Sequence, residues 1–154
     1  MKIRKAKLKD LPRLAKLGVE LLKYHAEFDP YFAPNKDVEK VYFKFFKRCI
    51  HSGNRRLLIA KEKDSIIGYS LGKISKRPPV FKTREMGFVN DMYVISKFRK
   101  QGVANMFLEE LFAWFKSKKL RNIEIHVHTK NEIGKKAWAK YGFKEYMTEL
   151  RIEI

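Results

Sequence analysis

Where a strand pattern gives way to a helix pattern, the chain reads Arg99, Lys100, Gln101, Gly102, Val103, Ala104. Two cations, an amide and a residue without a side chain at a helix start have the makings of an anion site. The first backbone N–H groups of a helix have no intrahelical acceptor, and the positive end of the helix dipole lies among them. Gly102 removes the side chain that would keep a phosphate from those amides, and Ala104 keeps the next turn low. Arg99, Lys100 and Gln101 add long donors around the same place. The chemistry suited to this combination is the holding of a diphosphate.

Other chemistry-bearing residues are scattered. Glu124, His126 and His128 alternate along one strand face, but neighbours two apart on a strand sit about 6.5–7 Å from each other, too far for a compact metal site. They read as a polar face or as the lining of a cleft, and no metal is expected. Cys49 lies in an apolar helical stripe and reads as core. The aromatics of "FDPYFAPN" suit an acceptor pocket or simple packing beneath a loop.

The elements that must position these groups follow from hydrophobic spacing. Residues 2–5 read as a short strand. Asp10 and Pro12 open a helix carrying Leu11, Leu14, Ala15, Gly18, Leu21 and Leu22 on one side. After the linker "HAEFDPYFAPN", a second helix from about Asp37 carries Val38, Val41, Tyr42, Phe45, Phe46 and Cys49. Strands are expected over 56–62, 65–75 and 86–95, the first two joined by Lys63-Asp64. A helix from about Gly102 shows a stripe of Ala104, Phe107, Leu108, Leu111, Phe112 and Phe115. The alternation of "RNIEIHVHT" predicts a strand over 121–129. A short helix spans about 132–141 with Ile133, Ala137 and Tyr141 inward, ended by Gly142. "LRIEI" at 150–154 reads as a last strand.

With 154 residues, 45% of them hydrophobic and 14% aromatic, the chain suits one folded domain over 1–154. There is no apolar run of membrane-spanning length, no signal-peptide pattern and one cysteine, which together predict a soluble, cytoplasmic protein with no membrane partner. Thirty-five Lys and Arg against 17 acids give a formal charge of +18, which draws anions of every kind. Nucleic acid, a ribosome-bound or acidic partner and an anionic cofactor all fit that charge, although no helix-turn-helix, zinc or RNA-recognition signature is present.

Arg99-x-x-Gly102-x-Ala104 after an apolar strand resembles the signature of the GNAT family of N-acetyltransferases. Asn131, Gly134, Trp138 and Gly142-Phe143 resemble the second half of that pattern at the family's separation. The order of elements also resembles that family over nearly the whole chain, and its overall look is similar to the polyamine and ribosomal-protein acetylating branches. The resemblance implies an α+β (mixed α/β) acyl-CoA N-acyltransferase fold. That fold has a central twisted, mostly antiparallel sheet of six to seven strands, helices on both faces, and strands 4 and 5 splayed apart.

It further implies acetyl-CoA as cosubstrate and direct acetyl transfer to a primary amine in a ternary complex. The diphosphate falls to the amides of Gln101, Gly102, Val103 and Ala104, with Arg99 and Lys100 beside it. The pantetheine arm falls to the backbone of Met92 and Val94, with Asn131 on the channel wall and the oxyanion donor at Tyr93 or Val94. Trp138 stands where the family usually has a tyrosine, and an indole is no useful acid. Tyr141 or solvent is left as proton donor, and Asp91 and Glu85 as the carboxylates that could serve as base. A catalytically weak acyl-CoA binder and a basic nucleic-acid- or ribosome-associated domain are the rival readings, and a homodimer is left open.

Overall fold

The computed structural model describes residues 1–154. In chain order it has β1 (Lys2–Lys5), α1 (Leu11–Phe28), α2 (Val38–Ile50), β2 (Arg55–Glu62), β3 (Ser65–Lys76), β4 (Glu85–Val94), α3 (Val103–Ser117), β5 (Ile123–Ile125) and α4 (Glu132–Lys140). Single 3-10 turns cover Leu8–Asp10, Pro30–Phe32 and Ser96–Phe98. The strands form one mixed sheet in the order β1-β2-β3-β4-β5. Its first three pairings are antiparallel and the last, β4 with β5, is parallel.

The two sheet faces carry separate cores because β2 is apolar at consecutive positions. Leu57 and Ile59 join Leu14, Leu17, Phe46 and Tyr69 beneath α1 and α2. Leu58 and Ala60 join Phe107, Leu108, Leu111 and Phe115 beneath α3. A strand buried on both faces reads as an unbroken apolar run, and Leu57–Ala60 is one. At the open end of α1, Asp10 is buried and accepts Arg4 Nη1 at 2.7 Å, Arg4 Nη2 at 2.9 Å and the Lys7 N–H at 2.7 Å. A bidentate guanidinium and a backbone amide together satisfy a carboxylate that has left water.

Helices on both faces and a mostly antiparallel sheet match expectation, but the strand count does not. There are five strands rather than six to seven. The strand expected over 121–129 is confined to Ile123–Ile125, because the residues beyond it turn toward the end of α1, where His128 stacks on Phe28 at 6.1 Å and lies edge-on to Phe32. Residues 150–154 have no ladder partner and form no strand. α1 runs on through Phe28, taking four residues from the expected linker.

α4 is rotated from its expected face. Ile133 is 77% exposed and Ala137 is exposed, whereas Gly134, Trp138 and Tyr141 turn inward. Trp138 packs edge-on against Phe143 at 5.5 Å and both meet the core beneath α3. The large aromatic set the helix rotation, and Ile133 was the weaker anchor. Val41 of α2 is likewise exposed, while Phe46 and Cys49 are buried. No helix is long and apolar enough to cross a membrane.

Candidate functional site

β4 carries an extra residue at its centre. Leu71 faces Asp91 and Gly72 faces Val89, so Asn90 has no partner on β3. Side chains alternate along a strand, so an unbulged β4 would send Val89, Asp91 and Tyr93 to one face. The bulge separates them. Val89 stays in the α3-side core, as do Met92 and Val94, while Asp91 and Tyr93 turn to the face of α1 and α2.

The bulge also marks where β4 and β5 part. They pair only over Gly87–Val89 and Ile123–Ile125. From Asp91 to Val94, β4 is laddered to β3 alone and no strand pairs its other edge, where only the Val94 carbonyl is engaged, by Arg99 Nε. A free strand edge is a row of unpaired amides and carbonyls that an extended ligand can join as an added strand. This is the splay that the sequence resemblance implied.

Beyond Val94 the chain makes one 3-10 turn and reaches the start of α3 through two left-handed residues, Lys100 at φ 61° and Gly102 at φ 83°. The Gly102 carbonyl accepts the Met106 amide at 3.1 Å, which leaves the N–H groups of Val103, Ala104 and Asn105 without an intrahelical partner. No side chain caps them, and the first turn holds no acidic residue. A Cβ added to Gly102 would meet nothing within 4 Å. The helix mouth is therefore open, uncapped and free of repelling charge.

Two of the three long donors beside it are employed otherwise than expected. Arg99 Nε donates to the Val94 carbonyl at 2.8 Å, and Gln101 Nε2 donates to the Lys97 carbonyl at 3.0 Å. Both brace the turn, and only the exposed Lys100 extends from it. The Arg99 guanidinium lies 5.6 Å from the ring centroids of both Tyr24 and Tyr93, so it bridges α1 and β4.

α4 makes the opposite choice. Asn131 Oδ1 accepts the Gly134 amide at 2.8 Å and caps the helix, and the Tyr24 hydroxyl donates to the same oxygen at 3.4 Å. A Cβ on Gly134 would lie 2.6 Å from Asn131 Nδ2, so the spacing Asn131-x-x-Gly134 is what this tight cap requires. Asn131 thereby ties α4 to α1 at the open end of the splay.

The residues facing α1 from β4 are acid-base groups. Asp91 Oδ2 accepts the Tyr69 hydroxyl at 3.2 Å and Oδ1 accepts Asn90 Nδ2 at 2.9 Å. Burial pushes the Asp91 carboxyl above the ordinary aspartate range, and the two donors offset only part of that. Burial pushes the fully enclosed Tyr69 phenol well up, with Asp91 adding to it. Tyr93 donates to Glu20 Oε2 at 3.1 Å, and Glu20 Oε1 meets Arg13 Nη1 at 3.3 Å. Burial, then the bond to Glu20, raises the Tyr93 phenol.

Glu20 and Tyr24 are absent from the sequence reading. Their signal was there, a carboxylate and a phenol one helical turn apart beside an apolar stripe, but nothing in it says which strand that face will meet.

Of the sequence-proposed residues, Asp91, Met92, Tyr93, Val94, Arg99, Lys100, Gln101, Gly102, Val103, Ala104 and Asn131 gather around the splay and the helix mouth. Glu85 does not: it opens β4 opposite Lys76, roughly 20 Å along the strand from Asp91. There it shares a cleft of about 420 Å³ with Lys76, Arg84, Lys118 and Lys119. Tyr141 follows the last turn of α4, its ring 6.3 Å from Trp138, and packs with it on the α3-side core. Glu124, His126 and His128 do not converge. His126 sits edge-on to Phe88 at 4.9 Å, while His128 lies 3.5 Å from Asp29. No group of three or more His, Cys, Asp or Glu could hold a metal ion.

The family model described as Acetyltransferase (GNAT) family matches residues 20–143. No curated protein matches the chain in sequence. Solved structures match its fold. A mutant protein from Bacillus halodurans is 20% identical with a TM-score of 0.89, covering 100% of this chain and 99% of its own. A predicted acetyltransferase with acetyl-CoA from Clostridium acetobutylicum is 24% identical with a TM-score of 0.77, covering 99% and 95%. An aminoglycoside antibiotic 6'-N-acetyltransferase from Acinetobacter haemolyticus is 18% identical with a TM-score of 0.80, covering 100% and 98%.

Proposed function

Because the chain belongs to the GNAT acetyltransferase family, we propose that it is an acetyl-CoA-dependent N-acetyltransferase acting on a primary amine. The observation that carries this reading is the continuity of two features: a β4 edge left free after the bulge at Asn90, and the uncapped mouth of α3 at its far end. An extended acyl carrier with a diphosphate at its tail needs a strand-like partner for the arm and an anion site for the tail. The residues present fit it. Backbone of Met92 and the Val94 N–H would pair the arm, amides from Gln101 to Ala104 would hold the diphosphate, and Lys100 would add charge.

The carrier supplies a thioester, and the acceptor nitrogen displaces its thiolate as the N–C bond forms and the C–S bond breaks. An unperturbed primary amine has a pKa of about 10 and arrives protonated at neutral pH. In this proposal Asp91 takes that proton, through water, from its place under the free edge. A carboxylate raised toward neutral pH makes a better base than an ordinary one. Tyr93 or Val94 N–H serves the oxyanion. Glu20, linked to Tyr93, faces the same side and attracts the cationic acceptor. With Trp138 half-buried against Phe143 and Tyr141, and an indole no useful acid, the thiolate leaves to solvent or to Tyr141.

The test is release of free thiol from acetyl-CoA against a panel of amines, run beside a thermal-shift measurement with acetyl-CoA. Turnover with at least one amine is the expected result. Stabilisation without turnover would leave a binder, and no stabilisation would remove the reading altogether. The basic cleft at Lys76, Arg84, Lys118 and Lys119 favours a second, compatible role, contact with an anionic surface such as ribosomal or other nucleic acid. Binding to RNA that weakens steeply with salt, and weakens further when Lys118 and Lys119 become Glu, would support it.

A further inference from the structure

The β3–β4 hairpin and the turn after α3 meet at the end of the sheet away from Asp91. Residues 73–84 carry five Lys and Arg, residues 116–121 carry four, and neither stretch holds an acid. The Gly87 N–H donates to the Asn122 carbonyl at 2.9 Å, which sets the two stretches side by side with the cleft of about 420 Å³ between them. Glu85 is the one acid lining that cleft. None of the cations in either stretch forms an ion pair. Like charges gathered without counter-charges repel one another, and a bound polyanion relieves that repulsion.

The tip of the hairpin is apolar and braced. Val80 is 85% exposed and Phe81 45%. The Arg77 N–H donates to the Arg84 carbonyl at 2.8 Å and the Phe81 N–H to the Pro78 carbonyl at 3.1 Å. Arg77 Nη1 donates to the Thr83 carbonyl at 3.1 Å. Pro78 and Pro79 each fix their own φ, which stiffens the tip further. The Arg77 guanidinium lies 4.3 Å from the Phe81 ring centroid, so it backs one face of the ring and holds it beside the cations. Phe81 belongs to neither core. A half-exposed ring on a stiff, basic support is a stacking platform.

We propose that this face binds a single-stranded nucleic acid, with phosphates along the cleft and an unpaired base stacked on Phe81. The inference rests on the nucleic-acid contact read above from the cleft, and it adds the form of the strand and the ring that selects it. It uses no residue of the acetyl-transfer site. Cations alone would take the phosphates of a duplex as readily. A duplex keeps its base faces in its own stack, however, and only an unpaired base offers one to a ring. A bilayer would meet the apolar tip but not the cleft at the hairpin's base, whereas a strand of phosphates reaches both.

Fluorescence anisotropy of the full chain tests this with three labelled probes. They are an oligouridylate of about 12 nucleotides, an abasic strand of the same length and an RNA duplex of the same length. The oligouridylate should bind about tenfold more tightly than the abasic strand, which keeps the phosphates and lacks the bases. Phe81→Ala should remove that advantage and leave the abasic strand and the duplex bound as before. Its circular dichroism and thermal transition should match those of the unmodified chain, since the ring lies outside both cores. Lys118→Gln with Lys119→Gln should weaken all three probes and flatten the fall of log affinity with log salt by about 1.4 for the single strands. Equal affinity for the oligouridylate and the abasic strand, or a Phe81→Ala variant that binds the oligouridylate unchanged, would overturn the inference and leave phosphate contact at the cleft standing. No binding to any of the three would overturn both. Binding to phosphatidylglycerol vesicles that Phe81→Ala abolishes, with none to RNA, would overturn it in favour of a membrane surface.

Discussion

The Tyr93 hydroxyl donates to Glu20 Oε2 at 3.1 Å, joining the free end of β4 to the middle of α1. The bulge at Asn90 makes this bond possible, because without the extra residue Tyr93 would face α3. The pair is where an acceptor ammonium would arrive from the α1 side. Glu20→Gln should therefore raise the acceptor KM about tenfold, equivalent to about 1.4 kcal/mol, and leave the acetyl-CoA KM unchanged. Tyr93→Phe should give a smaller effect in the same direction. Steady-state kinetics on both substrates check this, and an equal change in both KM values would argue for a general loss of structure.

Gly102 serves α3 twice. Its φ of 83° is one that an L-residue adopts at a cost of about 1–2 kcal/mol. Gly102→Ala should lose stability of that order in a urea titration, and Gly102→Asn less, because Asn tolerates the left-handed region. Gly102→Glu adds a carboxylate to the proposed diphosphate site, so it should abolish the thermal shift given by acetyl-CoA beyond any loss of stability. Retention of that shift in the Glu variant would count against a diphosphate at this helix mouth.

The strand at 56–62, the apolar stripe of α3 and the glycine turn that opens it were readable from the chain because each rests on local spacing. Leu57–Ala60, the stripe from Phe107 to Phe115 and the run from Arg99 to Ala104 carry their own periodicity or composition. What escaped was relational. The roles of Arg99 and Gln101 as braces depend on carbonyls at Val94 and Lys97 that only the folded turn presents. Ile133 looked like a core residue because apolar spacing does not say which of two neighbouring helix faces a large Trp138 will claim. "LRIEI" reads as a strand on propensity alone, yet a strand needs a neighbour, and within one chain it has none.

Asp10 gives the fold an acid-sensitive point at the start of α1. Burial by itself would raise its carboxyl, but the Arg4 guanidinium and the Lys7 amide outweigh it and hold the group below the ordinary range. The sign follows from linkage. A carboxyl depressed in the native state adds stability above its unfolded value of about 3.9, and that contribution is lost as the pH falls through the lower native value. Asp10→Ala leaves Arg4 unpaired and should cost about 3 kcal/mol at neutral pH. The deficit should shrink below about pH 4, where the native protein forfeits the same interaction. Urea titrations of both proteins at pH 7 and pH 3 measure it.

Asp91 titrates the other way, and its pH dependence separates a base from a structural carboxylate. Burial raises it, while hydrogen bonds from Asn90 and Tyr69 and the charge of Lys73 pull it part of the way back. As proposed base, Asp91 works only when ionised, so kcat/KM should fall with acid at a pH above that of an ordinary aspartate. Tyr69→Phe removes the donor to Oδ2 and should move that acidic limb to still higher pH. Lys73→Met should do the same more weakly, and Asp91→Asn should abolish the limb along with most of the activity. A carboxylate that merely held β4 in place would lower the rate at every pH and leave the limb where it was when Tyr69 is changed. Stability supplies an independent sign. With a native value above the unfolded one, Asp91 favours the fold while protonated, and the native state loses that advantage as pH rises through the native value. Asp91→Asn, which stays neutral and retains a polar group for Tyr69, should therefore match the unmodified protein in acid and exceed it at neutral pH in a thermal melt. Loss of activity with that gain in stability is what a buried catalytic carboxylate would give, and equal losses of both would assign Asp91 to the scaffold instead.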